Sequence, residues 1–275
     1  MAYANYELNG HHHIGEIEGD YLIPLTGLTE IGPQTTTEVL TSAERRHTDR
    51  VRLANVRLRA ISPAAGKIIC IGLNYKAHIE ESNRELPTYP VMFPKYASSL
   101  ISPDADIVLP PESSQVDYEG ELAVIIGKAG RRINEEGAAD HILGYTVCND
   151  VTMRDYQYKT HQWMQGKAWD NSTPLGPYLV APDEVDLSSA AISTTLNGEV
   201  VQRSDLSHLI FSIPRLIATV SEFTELRPGD VILTGTPSGV GYRSDPQLFL
   251  RDGDVVTVDI EGVGTITNKV TAEQI

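Results

Sequence analysis

Short apolar runs of strand length dominate the pattern of hydrophobic and polar positions along this chain. Runs of this kind, bounded by turn residues, predict β-strands. The predicted strands of the main part of the chain lie at 67–72, 106–109, 116–126, 142–149, 178–180, 192–196, 230–233, 255–260 and 264–270. Helices are predicted at 74–81, 134–140 and 212–223. Because strands outnumber helices and do not alternate with them regularly, the pattern favours an α+β fold with a mixed sheet over a doubly wound one.

The N-terminal part of the chain reads as a separate small unit. Residues 1 to about 40 contain short strand-like runs and turns, and 61–66 (Ile-Ser-Pro-Ala-Ala-Gly) resembles a linker. We therefore predict a β-rich N-terminal domain at residues 1–62 and a main domain at 63–275. Within the main domain, Asn197-Gly198 between two apolar runs predicts a two-residue hairpin turn.

Composition narrows the classes of function. The chain has 275 residues and a formal net charge of −15, which disfavours nucleic acid or an anionic membrane as a partner. No apolar stretch approaches the ~20 residues of a membrane span, and the first residues lack the basic and apolar regions of a signal peptide. We therefore expect a cytoplasmic protein. Two cysteines without CxxC spacing indicate neither a disulfide framework nor a zinc-thiolate site.

Glu119 and Glu121 form the most informative motif of the sequence. They lie two residues apart at the start of a strand-like apolar run, so both carboxylates project to one side and can converge on a hard cation. Asp150 ends a second apolar run and supplies a third oxygen ligand if the two strands end side by side. Gly120 suits a bulge or a close backbone approach. The alternative is that both glutamates lie on the solvated face of an edge strand.

His78 and Glu81 are spaced for acid–base chemistry. Three residues apart on a helix, they lie on one face, where the carboxylate can fix the imidazole tautomer and raise its basicity. The alternative is a pair of charged residues on the surface. The tract at 11–13 (His-His-His) resembles a metal-binding run, but exposed surface is the preferred interpretation.

Several further residues can bind an acid substrate. Arg154 and Gln157 follow Asp150 on a segment that, if helical, directs both side chains toward the carboxylates. Lys95 and Lys167 are candidates too, although lysines are normally solvated. The segment 235–241 (Gly-Thr-Pro-Ser-Gly-Val-Gly) is neither a Walker loop nor a dinucleotide fingerprint. Its N–H groups and the Thr236 hydroxyl can hold a carboxylate, unless it is an ordinary turn.

Over residues 67–270 the chain resembles the fumarylacetoacetate hydrolase family. The motifs that carry the resemblance are Gly72-Leu-Asn-Tyr-x-x-His78-x-x-Glu81, Asp117-Tyr-Glu119-Gly-Glu121, Asn149-Asp150-Val-Thr-x-Arg154-Asp-x-Gln157, Gly166-Lys167 and Gly235-Thr-Pro-x-Gly239. The resemblance implies a mixed β-roll, a homodimer, and Mg²⁺ or Mn²⁺ held by Glu119, Glu121 and Asp150. It also implies the roles of the other residues, with catalysis by His78, Glu81 and Lys167, substrate contacts by Arg154, Gln157 and Thr236, and Lys95 near the mouth.

The expected reaction follows from the chemistry of 2-oxo acids. His78, oriented by Glu81, would activate a water that attacks an acylpyruvate, while the cation and Lys167 neutralise the charge of the pyruvate enolate. We therefore expect a hydrolase for a fumarylpyruvate-like substrate of aromatic catabolism. The alternatives are decarboxylation of oxaloacetate and isomerisation of 2-hydroxyhepta-2,4-diene-1,7-dioate, which depend less on the dyad because they need no attacking water. A metal-binding interaction protein is the non-enzymatic alternative.

Overall fold

Strands make up most of the regular structure in the computed structural model, which describes residues 1–81 and 85–274. In chain order the strands are β1 (Ala2–Leu8), β2 (His11–Glu18), β3 (Tyr21–Pro24), β4 (Val51–Arg52), β5 (Arg57–Leu58), β6 (Ile68–Gly72), β7 (Val91–Lys95), β8 (Leu100–Ile101), β9 (Ile107–Leu109), β10 (Val116–Asp117), β11 (Gly120–Ile126), β12 (Ile142–Asn149), β13 (Thr152–Met153), β14 (Thr173–Val180), β15 (Ala191–Leu196), β16 (Glu199–Asp205), β17 (Val231–Leu233), β18 (Val255–Ile260) and β19 (Gly264–Ala272). The α-helices are α1 (Thr37–Ser42), α2 (Lys76–Glu81), α3 (Arg154–Gln157), α4 (Met164–Lys167) and α5 (Ile213–Phe223). This confirms the expected mixed-sheet α+β fold with few helices.

Three sheets organise the described residues. A 12-stranded sheet runs in the order β4-β3-β2-β1-β14-β12-β11-β17-β6-β7, with β5 beside β1 and β8 beside β14. Strands β10 and β13 pair with each other, and a five-stranded sheet has the order β16-β15-β18-β19-β9. The β17–β6 pair is parallel and the β11–β12 pair is antiparallel, so the large sheet is mixed as predicted.

The strand β11 lies at the centre of the hydrophobic core. Its residues 120–126 are all buried, and alternate side chains enter different clusters. Leu122, Val124 and Ile126 pack into one cluster, while Ala123 and Ile125 pack into another on the opposite face. Fully burying each Val, Leu or Ile contributes about 1.5–3 kcal/mol. The strand that carries Glu121 is therefore covered on both faces and firmly held.

The five-stranded sheet packs directly against the start of β11. A Cβ atom added to Gly120 would lie 2.4 Å from Oγ1 of Thr194 on β15 and 2.9 Å from Cγ1 of Val258 on β18. Gly120 thus marks a close approach to its backbone, made by side chains of the five-stranded sheet, and not a bulge in the β11–β12 pairing. The predicted hairpin is present as well: Asn197 and Gly198 join β15 to β16 with φ values of 53° and 86°.

One helical prediction is wrong, and a second is confirmed only for Arg154–Gln157. The segment 134–140 is not an α-helix; only a 3₁₀ turn is present, at Ala138–His141. The Asn134 side chain accepts a hydrogen bond from the Gly137 N–H (3.0 Å), a local turn that competes with helix formation. After Asp150, helix begins only at Arg154, because Thr152–Met153 pairs with Val116–Asp117 as a short ladder.

The N-terminal strands continue the large sheet. Strand β1 pairs with β14, with Ala2 opposite Val180 and Tyr3 opposite Leu179. The division into domains at residues 1–62 and 63–275 stays a prediction. Of residues 1–81 and 85–274, none belongs to a helix with the length and hydropathy needed to cross a membrane.

Candidate metal and enolate site

Three acidic side chains converge where strand β11 begins and its neighbour β12 ends. Gly120 pairs with Asn149, so Glu119 just before β11 lies beside Asp150 just after β12, and the Asp150 N–H donates to the Glu119 carbonyl (2.8 Å). Carboxylate oxygens of Glu119, Glu121 and Asp150 all lie within 4.8 Å of one another. All three residues are buried, with at most 5% of their surface exposed. The alternative of a solvated edge strand is therefore wrong.

Two buried lysines neutralise part of this charge. Lys167 on α4 donates from Nζ to Oε2 of Glu119 (2.5 Å) and to Oδ2 of Asp150 (2.8 Å). Lys95 at the end of β7 donates to Oδ1 of Asp150 (2.7 Å), to the Val151 carbonyl (3.3 Å) and to the Lys167 carbonyl. Burial alone would raise the pKa of Asp150, but the two ammonium groups outweigh it and hold the pKa below its ordinary value.

Arg154 forms ion pairs with Asp117 and with Glu119. Its Nη2 lies 2.7 Å from both Oδ2 of Asp117 and Oε1 of Glu119, and its Nη1 donates to Oε1 of Gln157 (3.0 Å). Burial acts to raise the pKa of Glu119, but Lys167 and Arg154 together lower it. The guanidinium is thereby fixed beside the carboxylates, with Gln157 next to it.

Glu121 is the acid without a cationic partner among the described side chains. It accepts a hydrogen bond from the Gly235 N–H (2.8 Å). Burial, followed by the charges of Asp150 and Glu119, holds the pKa of Glu121 well above its ordinary range. Such a group is stabilised in its charged form by an added cation.

The donor set fits a hard dication. Carboxylate oxygens are the ligands preferred by Mg²⁺, and by Mn²⁺ as well. When all four carboxylates of this centre are ionised, they exceed its three cations by one negative charge: Asp117, Glu119, Glu121 and Asp150 against Lys95, Arg154 and Lys167. Glu119, Glu121 and Asp150 would hold the ion.

The predicted dyad is formed. Nδ1 of His78 lies 3.1 Å from Oε2 of Glu81, and the other carboxylate oxygen accepts from the Gly239 N–H (3.0 Å). Only 12% of the His78 side chain is exposed, compared with 64% for His208 in a pair of the same spacing. Since Glu81 is itself held by the backbone, the imidazole has a defined orientation.

The glycine-rich segment 235–241 is tied down by protein carboxylates. Besides the bonds of Gly235 to Glu121 and of Gly239 to Glu81, the N–H groups of Gly241 and Tyr242 donate to Asp117 (2.8 and 2.9 Å). At Gly239, where φ is 96°, an added Cβ would lie 2.0 Å from the Val201 carbonyl oxygen. The segment is therefore a fixed wall whose N–H groups already bind carboxylates.

One cavity collects most of the candidate residues. Those in its lining are His78, Glu119, Glu121, Arg154, Gln157, Lys167 and Thr236. Glu81 and Asp150 are outside this lining: Glu81 contacts His78 from behind, and the Asp150 carboxylate lies within 4.8 Å of those of Glu119 and Glu121. The expectation that Lys95 lies near the mouth is wrong: it is buried behind Asp150, where three protein acceptors surround its ammonium group. Its role as a substrate ligand stays a prediction, as do the roles of the other residues.

Sequence reasoning missed two kinds of residue. The cavity walls include Tyr158, Tyr242 and Arg243, which no pattern in the sequence singled out. Asp117 was visible within the Asp-Tyr-Glu-Gly-Glu motif, yet its contacts to Arg154 and to the glycine-rich segment depend on tertiary structure. Three acids within five residues were the signal that could have drawn attention to it.

Comparison with known proteins identifies the family. Residues 67–271 match the family described as fumarylacetoacetate (FAA) hydrolase C-terminal. The mitochondrial oxaloacetate tautomerase fahd2 of Xenopus laevis is 46% identical over 220 residues, which cover 79% of this chain and 69% of that protein.

Solved structures agree with this match. The 5-carboxymethyl-2-hydroxymuconate delta-isomerase of Mycobacterium smegmatis has a TM-score of 0.85 at 37% identity, over 99% of this chain and 100% of its own. The fumarylacetoacetate hydrolase of Exiguobacterium antarcticum has a TM-score of 0.87 at 35% identity, with the same coverage. The chain therefore belongs to the fumarylacetoacetate hydrolase family of enzymes.

Proposed function

We propose that this enzyme interconverts the keto and enol forms of a small 2-oxo dicarboxylate such as oxaloacetate, with Mg²⁺ or Mn²⁺ as cofactor. The observation that carries the proposal is the convergence of Glu119, Glu121 and Asp150 beside Lys167, with His78 in the same cavity. Similarity to an oxaloacetate tautomerase supports this reaction over the hydrolysis expected from the sequence. Decarboxylation of oxaloacetate and isomerisation of a hydroxymuconate-type diacid use the same kind of site.

Charge complementarity favours an anionic substrate. With Glu121 ionised, the four carboxylates exceed the three cations by one negative charge, so a dication bound there gives one excess positive charge. Arg154, Gln157 and Thr236 provide a guanidinium, an amide and a hydroxyl that can bind substrate carboxylates. A dianionic substrate is thus attracted into a cavity whose own acids would otherwise repel it.

The ion held by Glu119, Glu121 and Asp150 would supply Lewis-acid stabilisation of the negative charge that develops on the keto oxygen. Lys167 adds a fixed positive charge. Burial alone would lower the pKa of Lys167, but Asp150 and Glu119 raise it, so the ammonium stays protonated and acts through its charge.

His78 is positioned to carry the proton. Its Nδ1 faces Glu81, so the other ring nitrogen is available to accept the C3 proton of the substrate. The electron pair of the broken C3–H bond forms the C2–C3 double bond, and the negative charge arrives on the C2 oxygen near Lys167. Return of the proton to that oxygen completes the enol.

Hydrolysis of an acylpyruvate is the second candidate, and the dyad favours it. A histidine fixed by a carboxylate, which a backbone N–H holds in turn, is the arrangement that activates an attacking water. In that reaction water adds to the C4 carbonyl, the C3–C4 bond breaks, and the products are pyruvate and an acid.

A single assay series separates these reactions. The purified enzyme with Mg²⁺ or Mn²⁺ is mixed with freshly dissolved enol-oxaloacetate, and loss of enol absorbance is followed together with CO₂ release. Fumarylpyruvate, acetylpyruvate and a hydroxyheptadienedioate are tested in parallel. We expect metal-dependent loss of the enol without CO₂. Cleavage of an acylpyruvate with no acceleration of ketonisation would establish the hydrolase instead.

Two further expectations complete the proposal. We propose a homodimer, on the basis of the family resemblance, and light scattering at micromolar concentration tests it. The expected cytoplasmic location also stays a proposal, since the Xenopus laevis relative is named as mitochondrial. Fractionation of the source cells decides between the two compartments.

A further inference from the structure

Gln202 lies outside the cavity lining but is bonded to Thr236, which forms part of it. This side chain on β16 is buried, with 1% of its surface exposed. Its Nε2 donates to Oγ1 of Thr236 (2.9 Å) and to the Pro237 carbonyl (3.0 Å). Its Oε1 accepts from the Gly120 N–H (3.0 Å) and from the Thr194 hydroxyl (2.8 Å). Both ends of the amide are therefore fully used, and its orientation is fixed.

The direction of the bond to Thr236 has a chemical consequence. A hydroxyl has one proton to donate, and at Thr236 the oxygen is already the acceptor for Gln202. The hydroxyl proton is consequently left for a group inside the cavity, which Thr236 lines. An acceptor at the position of Nε2 would instead attract that proton away from the cavity.

The amide oxygen of Gln202 contacts the backbone of the acidic motif. The Gly120 N–H that Gln202 accepts lies between Glu119 and Glu121 in the chain. The same side chain thus fixes the backbone of the acidic motif and the hydroxyl of the glycine-rich segment.

We propose that Gln202 is a positioning residue that turns the Thr236 hydroxyl proton toward a carboxylate of the substrate. This inference rests on the proposed function in one respect, because it takes a carboxylate as the group that Thr236 contacts. At saturating Mg²⁺ the effect of Gln202 on the substrate carboxylate should pass through Thr236, whereas its bond to Gly120 supports the acidic motif.

Oxalate binding to the full-length protein in saturating Mg²⁺, measured by calorimetry, tests the inference. The variants are Gln202→Met, Thr236→Val and their combination. Each single change removes one ligand hydrogen bond to a charged group and should weaken oxalate binding roughly ten-fold. The double variant should bind no more weakly than Thr236→Val alone. With oxaloacetate, KM should rise in the single variants while kcat changes little.

Thr194→Val is the matched control. This variant removes the hydrogen bond that Thr194 donates to Oε1 of Gln202. The bonds to Gly120 and Pro237 remain and still hold the orientation of the amide. Oxalate affinity should therefore equal that of the wild type, even if the melting temperature falls. Gln202→Thr is avoided because a shorter side chain leaves a cavity.

If Gln202→Met does not fold, Gln202→Glu replaces it, because it keeps the acceptor for Gly120 and lacks the amide donor. Wild-type oxalate affinity in the Gln202 variant that folds would overturn the inference. A double variant whose loss of oxalate affinity equals the product of the two single losses would overturn it as well. Failure of the wild type to act on oxaloacetate, with the oxalate pattern intact, would refute the proposed function alone. Failure of the wild type to bind oxalate would refute the inference.

Discussion

Lys95 donates a 2.7 Å hydrogen bond to Asp150, and neither side chain is exposed to solvent. The lysine therefore supports a candidate metal ligand from behind and does not reach the cavity. A buried ion pair broken on one side leaves an uncompensated charge, which is costly in free energy.

Replacing Lys95 by Met should destabilise the protein substantially. Removing one partner of a buried pair costs about 3–5 kcal/mol, and denaturant unfolding of the metal-free protein measures it. Lys67→Met is the matched control, since Lys67 contacts Asp230 at the same 2.7 Å but is 29% exposed. That change should cost about 1 kcal/mol or less, because the Lys67 ammonium is partly solvated and the buried Asp230 keeps the backbone N–H donors of residues 67 and 227. Equal losses for the two variants would contradict the buried support described for Asp150.

Metal binding should depend on Glu121. Mg²⁺ or Mn²⁺ at 100 times its Kd should stabilise the fold by about 2.7 kcal/mol, which thermal unfolding detects as a rise in Tm. In Glu121→Gln the rise should disappear, because the carboxylate that lacks a cationic partner among the described side chains is gone. Asp155→Asn is the control, since Asp155 accepts from Ser113 and lies outside the cavity lining. A metal-induced rise that survives in Glu121→Gln would place the ion elsewhere.

The dyad should be required for catalysis. His78→Asn should lower kcat about 100-fold or more, as expected when a general acid–base group is removed. His208→Asn is the control. His208 lies three residues from its acid, Asp205, but is exposed, so this change should leave kcat unchanged. Rates of ketonisation and of acylpyruvate cleavage are measured for both variants. Full ketonisation by His78→Asn would remove His78 from the proton transfer.

Substitution of Gly239 should disturb the dyad indirectly. In Gly239→Ala the new methyl group would collide with the Val201 carbonyl, so the segment shifts and Glu81 loses its backbone donor. Gly253→Ala is the control, because Gly253 has a similar φ of 90° with nothing within 4 Å of the added Cβ. The control should cost about 1 kcal/mol from backbone strain alone. Activity and unfolding free energy of both variants are compared, and equal effects would argue against the clamp on Glu81.

The sequence predicted those parts of the molecule that local spacing determines. Period-two alternation placed Glu119 and Glu121 together, and three-residue spacing paired His78 with Glu81. Contacts between residues distant in the sequence were not predicted. Nothing near Lys95 indicates that its ammonium group meets Asp150, 55 residues away.

Local and tertiary contacts also explain why the helix at 134–140 was wrong and why the helix after Asp150 begins only at Arg154. Residues 134–140 have a helical composition, but a side-chain turn at Asn134 takes precedence. Pairing with Val116–Asp117 likewise extends Thr152–Met153. Gln202 offered no signal at all, since its importance comes from the packing of β16 beside the glycine-rich segment.

The candidate metal ligands and the aromatic cavity walls lie on different kinds of structure. Glu119, Glu121 and Asp150 are anchored at the ends of two central strands, whereas Tyr158 and Tyr242, whose rings lie 5.3 Å apart, belong to connecting segments. Substitutions of the Tyr158 and Tyr242 side chains can therefore change the walls while the three carboxylates keep their places on the central strands. A loop graft from a relative is thus a rational route to redesigning substrate preference.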